Sequence, residues 1–330
     1  MSFLRFAGSL RPSLGRILSL ILLPVATACA QVPYPSKPVT LLVGSAPGGS
    51  NDIFARAIAK RLQLAWGQPF VVENKPAAGG VLANTLVAKS APDGYTLVVL
   101  SSTFTTGAAI RTNLQYDAIQ NFAPIAMLAK GPLFITVSNH TPFKSIAELV
   151  AYCREHPHKL NYGSSGVGSI NQFATELFAD AAQIKLTHVP YKGMNPAVTD
   201  LIGGQIDMIV ASAPSLLAQI NGEKIRALAV TTTSQSAVAP SVPSLGDSGY
   251  ARATVDLWWG ILAPAGTPTP IIEKLNNEIN KIVASEEMKS FFLKEGAEPV
   301  AMTPPEFAQY IAQEITRWKQ VAAAADIQPE

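Results

Sequence analysis

Short apolar runs bounded by Gly, Pro and Asn alternate along this chain with segments whose apolar residues recur every three or four positions. The runs "VTLLV", "PFVVEN" and "YTLVVLS" enclose the segments "IFARAIAKRLQLAW" and "VLANTLVAKS". A compact apolar run between turn formers predicts a buried strand, and the three-and-four spacing predicts an amphipathic helix. The order is therefore β-α-β-α-β, a parallel sheet with helices on its faces. The rhythm resumes at 133 with "LFITVS", then a helix from Ser145 to His156 that opens with Ser145 and Glu148 at capping-box spacing. "LNYGSS", "SINQFATELFADAA", "LTHVPY", "NPAVTDLIGG", "IDMIVAS", "APSLLAQING" and "IRALAVTTT" continue it. They predict a second α/β unit.

Beyond the loop "TSQSAVAPSVPSLGDSGY" one more strand, "LWWGILAPAG", precedes helices from Pro270, Ser285 and Thr303. Thr303, Pro304 and Glu306 supply a cap, a first-turn proline and a capping-box glutamate for the last of them. Three helices after one strand cannot build a third sheet, so they are expected to return to the first unit. The chain then crosses between units twice, near 131 and near 258. Residues 31–131 with 259–330 form domain 1 and residues 132–258 form domain 2, joined at a hinge with a cleft between them.

Composition allows this and narrows the partners. The chain has 330 residues, 48% of them hydrophobic and 15% charged, enough to bury a large core. A net charge of +2 argues against nucleic acid as a partner. The four histidines, His140, His156, His158 and His188, are scattered, so neither a metal nor another cofactor is expected.

At the N-terminus Arg5, Arg11 and Arg16 precede an apolar run from Ile17 to Val25, and Ala28-Cys29-Ala30 offers small residues at cleavage spacing. Residues 1–30 read as an export signal, with a mature chain from Gln31, soluble, monomeric and periplasmic. Lipidation at Cys29 is the rival reading of the same residues. Removal of residues 1–30 leaves Cys153 as the one cysteine, placed in "ELVAYCREH" like a packing residue.

In open α/β sheets ligands collect beyond the carboxyl ends of the strands. Two loops there stand out. "SAPGGSND" (45–52) contributes Ala46, Gly48, Gly49, Ser50, Asn51 and Asp52, and "GSSGVGS" (163–169) contributes Ser165, Gly166, Val167, Gly168 and Ser169. Both lack bulky side chains and both lead straight into a helix, whose first N–H groups have no partner and whose dipole favours negative charge. Facing each other, the loops would hold an anion from both sides, most simply a carboxylate. One helix end contributes about 0.3–2 kcal/mol, whereas micromolar binding needs about 8 kcal/mol, so one loop alone is too weak and closure must engage both. Ser101, Ser102 and Thr103 at the end of the third strand, Tyr191 in "VPYKG" and Ser212 after "IDMIVA" are further cleft candidates. Asp52 reads as a first-turn residue that complements the dipole or fixes the loop.

Two other functional classes stay open. A serine hydrolase would use Ser165 or Ser169, although no G-x-S-x-G elbow is present and no phosphate-loop Lys-Ser/Thr ending follows "APGGSND". A sensor module would present its ligand-closed form to a partner.

"YPSKPVTLLVGSAPGGSNDIFAR", "VENKPAAGG", "APDGYTL", "SSGVGS", "HVPYKG", "PAVTDLIGGQID", "IRALAVT" and "APAGTP", in this order from Tyr34 onward, resemble the Bug-type periplasmic receptors of tripartite tricarboxylate transporters. The resemblance implies a two-domain class II periplasmic binding-protein fold, no catalysis, a two-component membrane permease as partner, and carboxylate capture by the loops Ala46–Asp52 and Ser165–Ser169. Amino-acid-binding relatives place an acid deep in domain 2 for the ligand's ammonium group. This chain has Ala211 there, followed by Ser212, while Asp207 lies upstream on the same face of the strand. A carboxylate without an amino group is therefore expected, with Trp258 or Trp259 as an apolar wall of its site.

Overall fold

The run Val39–Val43 forms strand β1, with all but Thr40 buried. In the computed structural model, which describes residues 1–5, 7–8, 33–324 and 327, β1 is the axis of a first parallel set. It pairs on one side with β2 (Phe70–Asn74) and on the other with β3 (Thr96–Ser101). Helix α1 (Ser50–Trp66) buries Phe54, Ala55, Ile58, Ala59 and Leu62 along one face. It stops at Gly67, whose left-handed backbone (φ 67°) lets its N–H cap Gln63. Helix α2 (Val81–Ala88) completes the predicted pattern.

The next helix, α3 (Thr103–Ile110), has no counterpart in the periodicity. "TFTTGAAI" is rich in weak helix formers. It is held by burial of Phe104, Thr105, Thr106 and Ile110 and by the Thr105 and Thr106 hydroxyls donating to the Ser102 carbonyl at 2.8 and 3.3 Å. Tertiary packing overrides propensity here.

The second set comprises β5 (Asn161–Ser164), β6 (Thr187–Pro190) and β7 (Met208–Ser212), again parallel, with α4 (Ile146–Glu155), α5 (Ile170–Ala182), α6 (Met194–Ile202) and α7 (Ala213–Asn221) between or beside them. The sheets are not parallel throughout, as the β-α-β rhythm suggested. Strand β4 (Phe122–Ser138) runs antiparallel to β7 of the second set, and its prolines and Gly131 had hidden everything before 133. From Phe122 to Pro132 it pairs with β9 (Asp256–Pro264), and from Leu133 onward with β7 and with β8 (Ile225–Val230). Strand β9 closes the first set against β3, antiparallel.

The last helices are α8 (Thr269–Val283), α9 (Glu286–Lys294) and α10 (Pro304–Ala324), with the two-residue β10 (Glu298–Pro299) on β4. Asn276 in α8 donates to the Ile125 carbonyl of β4 at 2.7 Å. The capping box at the start of α10 is made: Glu306 accepts from the Thr303 N–H at 2.8 Å, and the Thr303 hydroxyl accepts from the Glu306 N–H at 3.4 Å. Helix α10 does not stay with the first set alone, because Trp318 meets Phe173 of α5 edge-on at 5.5 Å.

Trp258 and Trp259 are fully buried. Trp258 packs on Phe307 and Tyr310, and Trp259 on Phe54. Cys153 is buried on α4, and burial together with the negative charge of Asp207 pushes its thiol up to about 11, as suits a packing residue. The export signal, with Cys29 and Gln31, lies outside the described residues apart from its first few positions. Among the described residues no helix is long and apolar enough to cross a membrane. Residues 34–330 form one compact unit.

Candidate ligand-binding site

The carboxyl ends of β1, β3, β5 and β7 face a common cavity of about 320 Å³, room for about ten waters. Of the residues predicted to bind, Ala46, Gly49, Ser50, Asn51, Ser101, Thr103, Ser165, Gly166, Val167, Tyr191 and Ser212 line it. Gly48, Asp52, Ser102, Gly168 and Ser169 do not. Trp258 and Trp259 are also absent from the wall, and Leu257 stands there instead.

The five exceptions build the loops. Asp52 accepts from the Gly48 N–H and from Arg56 Nε through Oδ2, at 2.9 and 3.0 Å, and from Asn74 Nδ2 through Oδ1 at 2.9 Å. Burial alone would raise its carboxyl, but these bonds and the Arg56 charge outweigh burial and hold it below the usual range. The second loop repeats the device: Gln172 accepts from the Gly168 N–H at 2.8 Å, and Ser169 caps α5 through the Gln172 N–H. Ser102 is tied to the Trp258 backbone in both directions, its N–H donating at 3.1 Å and its hydroxyl accepting at 3.0 Å.

Aligned on this feature, Gly48-Gly49-Ser50-Asn51-Asp52 and Gly168-Ser169-Ile170-Asn171-Gln172 are one pattern used twice. Asn171 lines the cavity as Asn51 does, a residue the spacing could have revealed. So could Gly79 and Gly80, a third glycine pair between a strand and a helix. The loop Pro76–Gly80 forms another wall. It lies so close to the first loop that a Cβ on Gly44 would sit 2.5 Å from the Gly80 Cα. Lys192, Gly193, Met194 and Asn195 follow Tyr191 in the lining, and Arg111 reaches it from the far end of α3.

Helix starts around the cavity mostly lack a side-chain cap, although α5 there is closed by Ser169, and α8, away from it, begins at Pro268 with neither a cap nor a first-turn acid. Away from it, α4, α9 and α10 are closed by Ser145, Ser285 and Thr303 and carry glutamates in their first turns. Around it, α1, α2, α3, α6 and α7 begin at Gly49, Gly80, Ser102, Gly193 and Ser212 with no side-chain cap. Of these only α1 has an acid in its first turn, the already engaged Asp52. Uncapped N–H groups with the positive end of a helix dipole are anion sites when gathered in one place. Arg111 and Lys192 line the cavity, and no Asp or Glu does among the described residues. Ser45 Oγ and Asn51 Oδ1 are buried there without a protein partner. The arrangement favours a small anion with several oxygens.

Residues from both sets of strands meet around it. Asn195 donates to the Pro47 carbonyl at 3.0 Å, Thr106 to the Gly168 carbonyl at 2.7 Å, and the Ile170 N–H to Thr103 Oγ1 at 3.3 Å.

The Tripartite tricarboxylate transporter family receptor model matches residues 54–327. The chain belongs to this receptor family. It is 35% identical over 313 residues to Protein BugT of Bordetella pertussis, covering 93% of this chain and 96% of that one. Among solved structures, R. palustris Rpa4515 with adipate is similar at TM-score 0.88 and 33% identity, covering 90% of this chain and all (100%) of the other. MatC from Rhodopseudomonas palustris with bound malate follows at TM-score 0.83 and 31% identity, over 87% and 99% of the two chains. This receptor shares the two-domain periplasmic binding-protein fold of its structural neighbours.

In this receptor Ser165 donates to Asn171 Oδ1 at 2.7 Å and Ser169 serves as a cap, so neither bonds to a histidine. Among the described residues a serine hydroxyl meets a histidine ring at Ser164 Oγ and His188 Nε2, 2.7 Å apart and outside the lining, where burial pushes His188 down to about 4. Tyr191 donates to Asp200 at 2.8 Å, and burial with that carboxylate pushes the phenol up to about 12, so it stays neutral at the cavity. Asp207 accepts from the Asn161 N–H at 2.7 Å, away from the lining.

Proposed function

We propose that this receptor captures a small carboxylate without an amino group by closing two domains over the cavity, and delivers it to a two-component membrane permease. The reading is carried by the convergence of five uncapped helix starts on a cavity lined by Arg111 and Lys192 and by no acid among the described residues. Five such ends at about 0.3–1 kcal/mol each supply about 1.5–5 kcal/mol. One or two hydrogen bonds to a charged group, at about 1.5–3 kcal/mol each, bring the sum to the roughly 8 kcal/mol of a micromolar complex. An ammonium group would lie in this cavity without a counter-charge, at a large desolvation cost. The adipate and malate carried by Rpa4515 and MatC fit the same chemistry.

The ligand-binding residues are those of the two loops that reach the cavity, with Ser101, Thr103, Tyr191 and Ser212, and now Asn171 and the loop Pro76–Gly80. Residues 31–131 with 259–330 and residues 132–258 act as the two bodies, in keeping with the change of partner along β4 between Pro132 and Leu133. The protein works as a periplasmic monomer after removal of residues 1–30, without a cofactor and without catalysis. Native mass spectrometry of the freshly purified protein, followed by calorimetry with whatever it retains, tests the reading. A retained mono- or polycarboxylate that binds back is expected. A neutral or amino-bearing ligand bound in preference would overturn it.

A further inference from the structure

Arg111 is remote in sequence from the loops that hold Gly79 and Gly168, yet its side chain lies between them. Rooted just past α3, it donates from Nη2 to the Val167 carbonyl at 2.5 Å. Two glycines make room for it. A Cβ on Gly79 would lie 3.4 Å from Nη2, and one on Gly168 would lie 3.4 Å from Nε and 3.3 Å from Ile110 Cδ1, so side chains there would close against the guanidinium. Gly79 belongs to the loop before α2 and Gly168 to the loop before α5, so the slot is assembled from both sets of strands. Both glycines hold positive φ, +66° and +77°, so larger residues would strain the backbone as well as crowd the guanidinium.

Arg111 is also part of the cavity wall, as are Thr103, Phe104 and Ile170. Lys192, the other cation there, is exposed at its rim and keeps its water. Arg111 is half-buried and tethered, a planar fork whose five N–H donors match a carboxylate in pairs. The helix starts already accommodate one anionic group. A fixed cation in the same small cavity has most to gain from a second one.

We propose that Arg111 is a specificity-determining residue of this receptor, one that selects ligands carrying two carboxylates over those carrying one. The inference rests on the carboxylate reading above. It makes the second acid group part of recognition, since a ligand carboxylate at Arg111 bonds a side chain that also holds the second glycine loop by its Val167 carbonyl.

The test compares α,ω-dicarboxylates from malonate to pimelate with the monocarboxylates of equal chain length, by calorimetry, on the wild type and on Arg111→Gln. In the best-binding length the wild type is expected to favour the dicarboxylate by tenfold to a hundredfold, about the worth of a charge-assisted pair. Arg111→Gln is expected to lower that ratio to within about threefold of unity, chiefly by losing the dicarboxylate. Arg111→Lys keeps the charge without the fork and provides a second variant should the glutamine form fold poorly; its loss is likewise expected to fall on the dicarboxylate. Equal weakening of both members of a pair in either folded variant would make Arg111 a closure contact only and overturn the proposal. A wild type that favours the monocarboxylate overturns it while leaving the carboxylate reading intact. A wild type that binds no member of either series, and retains a ligand that is not a carboxylate, refutes that reading and this inference together.

Discussion

Replacing Gly49 with aspartate should move stability and binding in opposite directions. Gly49 is the N-cap of α1, with extended backbone (φ −76°, ψ 164°) and no side chain to cap with. Its conformation suits any residue, and a Cβ there would meet the Ala46 carbonyl at 3.3 Å and Ser45 Oγ at 3.5 Å, a fit that needs shifts of a few tenths of an ångström. Aspartate is among the preferred N-cap residues and favours the positive helix end, so capping should contribute a few tenths to about 1 kcal/mol, offset in part by the tight contact. The melting temperature of the free protein should stay within a few degrees of wild type or rise. The same carboxylate would take the α1 N–H groups that a ligand needs and place a like charge beside the ligand. At about 4 Å and an effective dielectric of about 20 that repulsion is about 4 kcal/mol, or about three orders of magnitude in affinity. Gly49→Asn is the control, equal in size and capping ability but uncharged, and should lose far less. Calorimetry with adipate and malate, beside thermal melting without ligand, reads both effects. Affinity in Gly49→Asp within tenfold of wild type, with normal melting, would refute the placement of the anion at α1. An asparagine variant as weak as the aspartate one would assign the loss to size.

The bonds of Asn195 to Pro47 and of Thr106 to Gly168 link the two sets of strands, and on the proposed closure a saturating ligand should reduce the radius of gyration in small-angle scattering; no change at demonstrated saturation would contradict hinge closure. His188 is pushed down to about 4 by burial, so below its unfolded value near 6.5 the unfolded chain takes up a proton that the folded chain refuses. Stability should be full above about pH 6.5 and fall toward pH 4, more in wild type than in His188→Gln; superimposable melting-versus-pH curves would contradict this. The exported protein should have the mass of a chain beginning at Gln31, and a diacylated species beginning at Cys29 would overturn the soluble assignment.

Much of the site was legible because its devices are local. A glycine-rich strand-to-helix turn is specified by a handful of consecutive residues, and both predicted loops line the cavity through Gly49, Ser50, Asn51, Ser165, Gly166 and Val167. The residues that do not line the cavity show where local reasoning stops. Gly48, Asp52, Gly168 and Ser169 lie in the two loops but serve bonds within them, and Gly168 also accepts from Thr106. Trp258 and Trp259 lie on the expected strand, yet fully buried against Phe307 and Phe54, because apolar area that large is worth more in the core than at a polar cavity. Asn171 and the pair Gly79-Gly80 could have been read, since each repeats a pattern already visible at 48–52.

By itself the sequence determined the α/β class, the starts of helices such as α4 and α10, and the two loops that line the cavity. These follow from periods of two and 3.6 residues and from capping bonds that span three or four positions, interactions whose partners are neighbours along the chain. Only the tertiary structure decided that β4 runs through both sets of strands, that α3 is a helix at all, and that Arg111 reaches a slot between Gly79 and Gly168 to bond Val167, 56 positions further along the chain. Those outcomes depend on which surfaces are buried against which, and no local spacing encodes that choice. Packing against Tyr116, Phe122 and neighbouring first-set side chains supplies the burial that holds Phe104 of α3, and the second set supplies the carbonyl that orients the arginine.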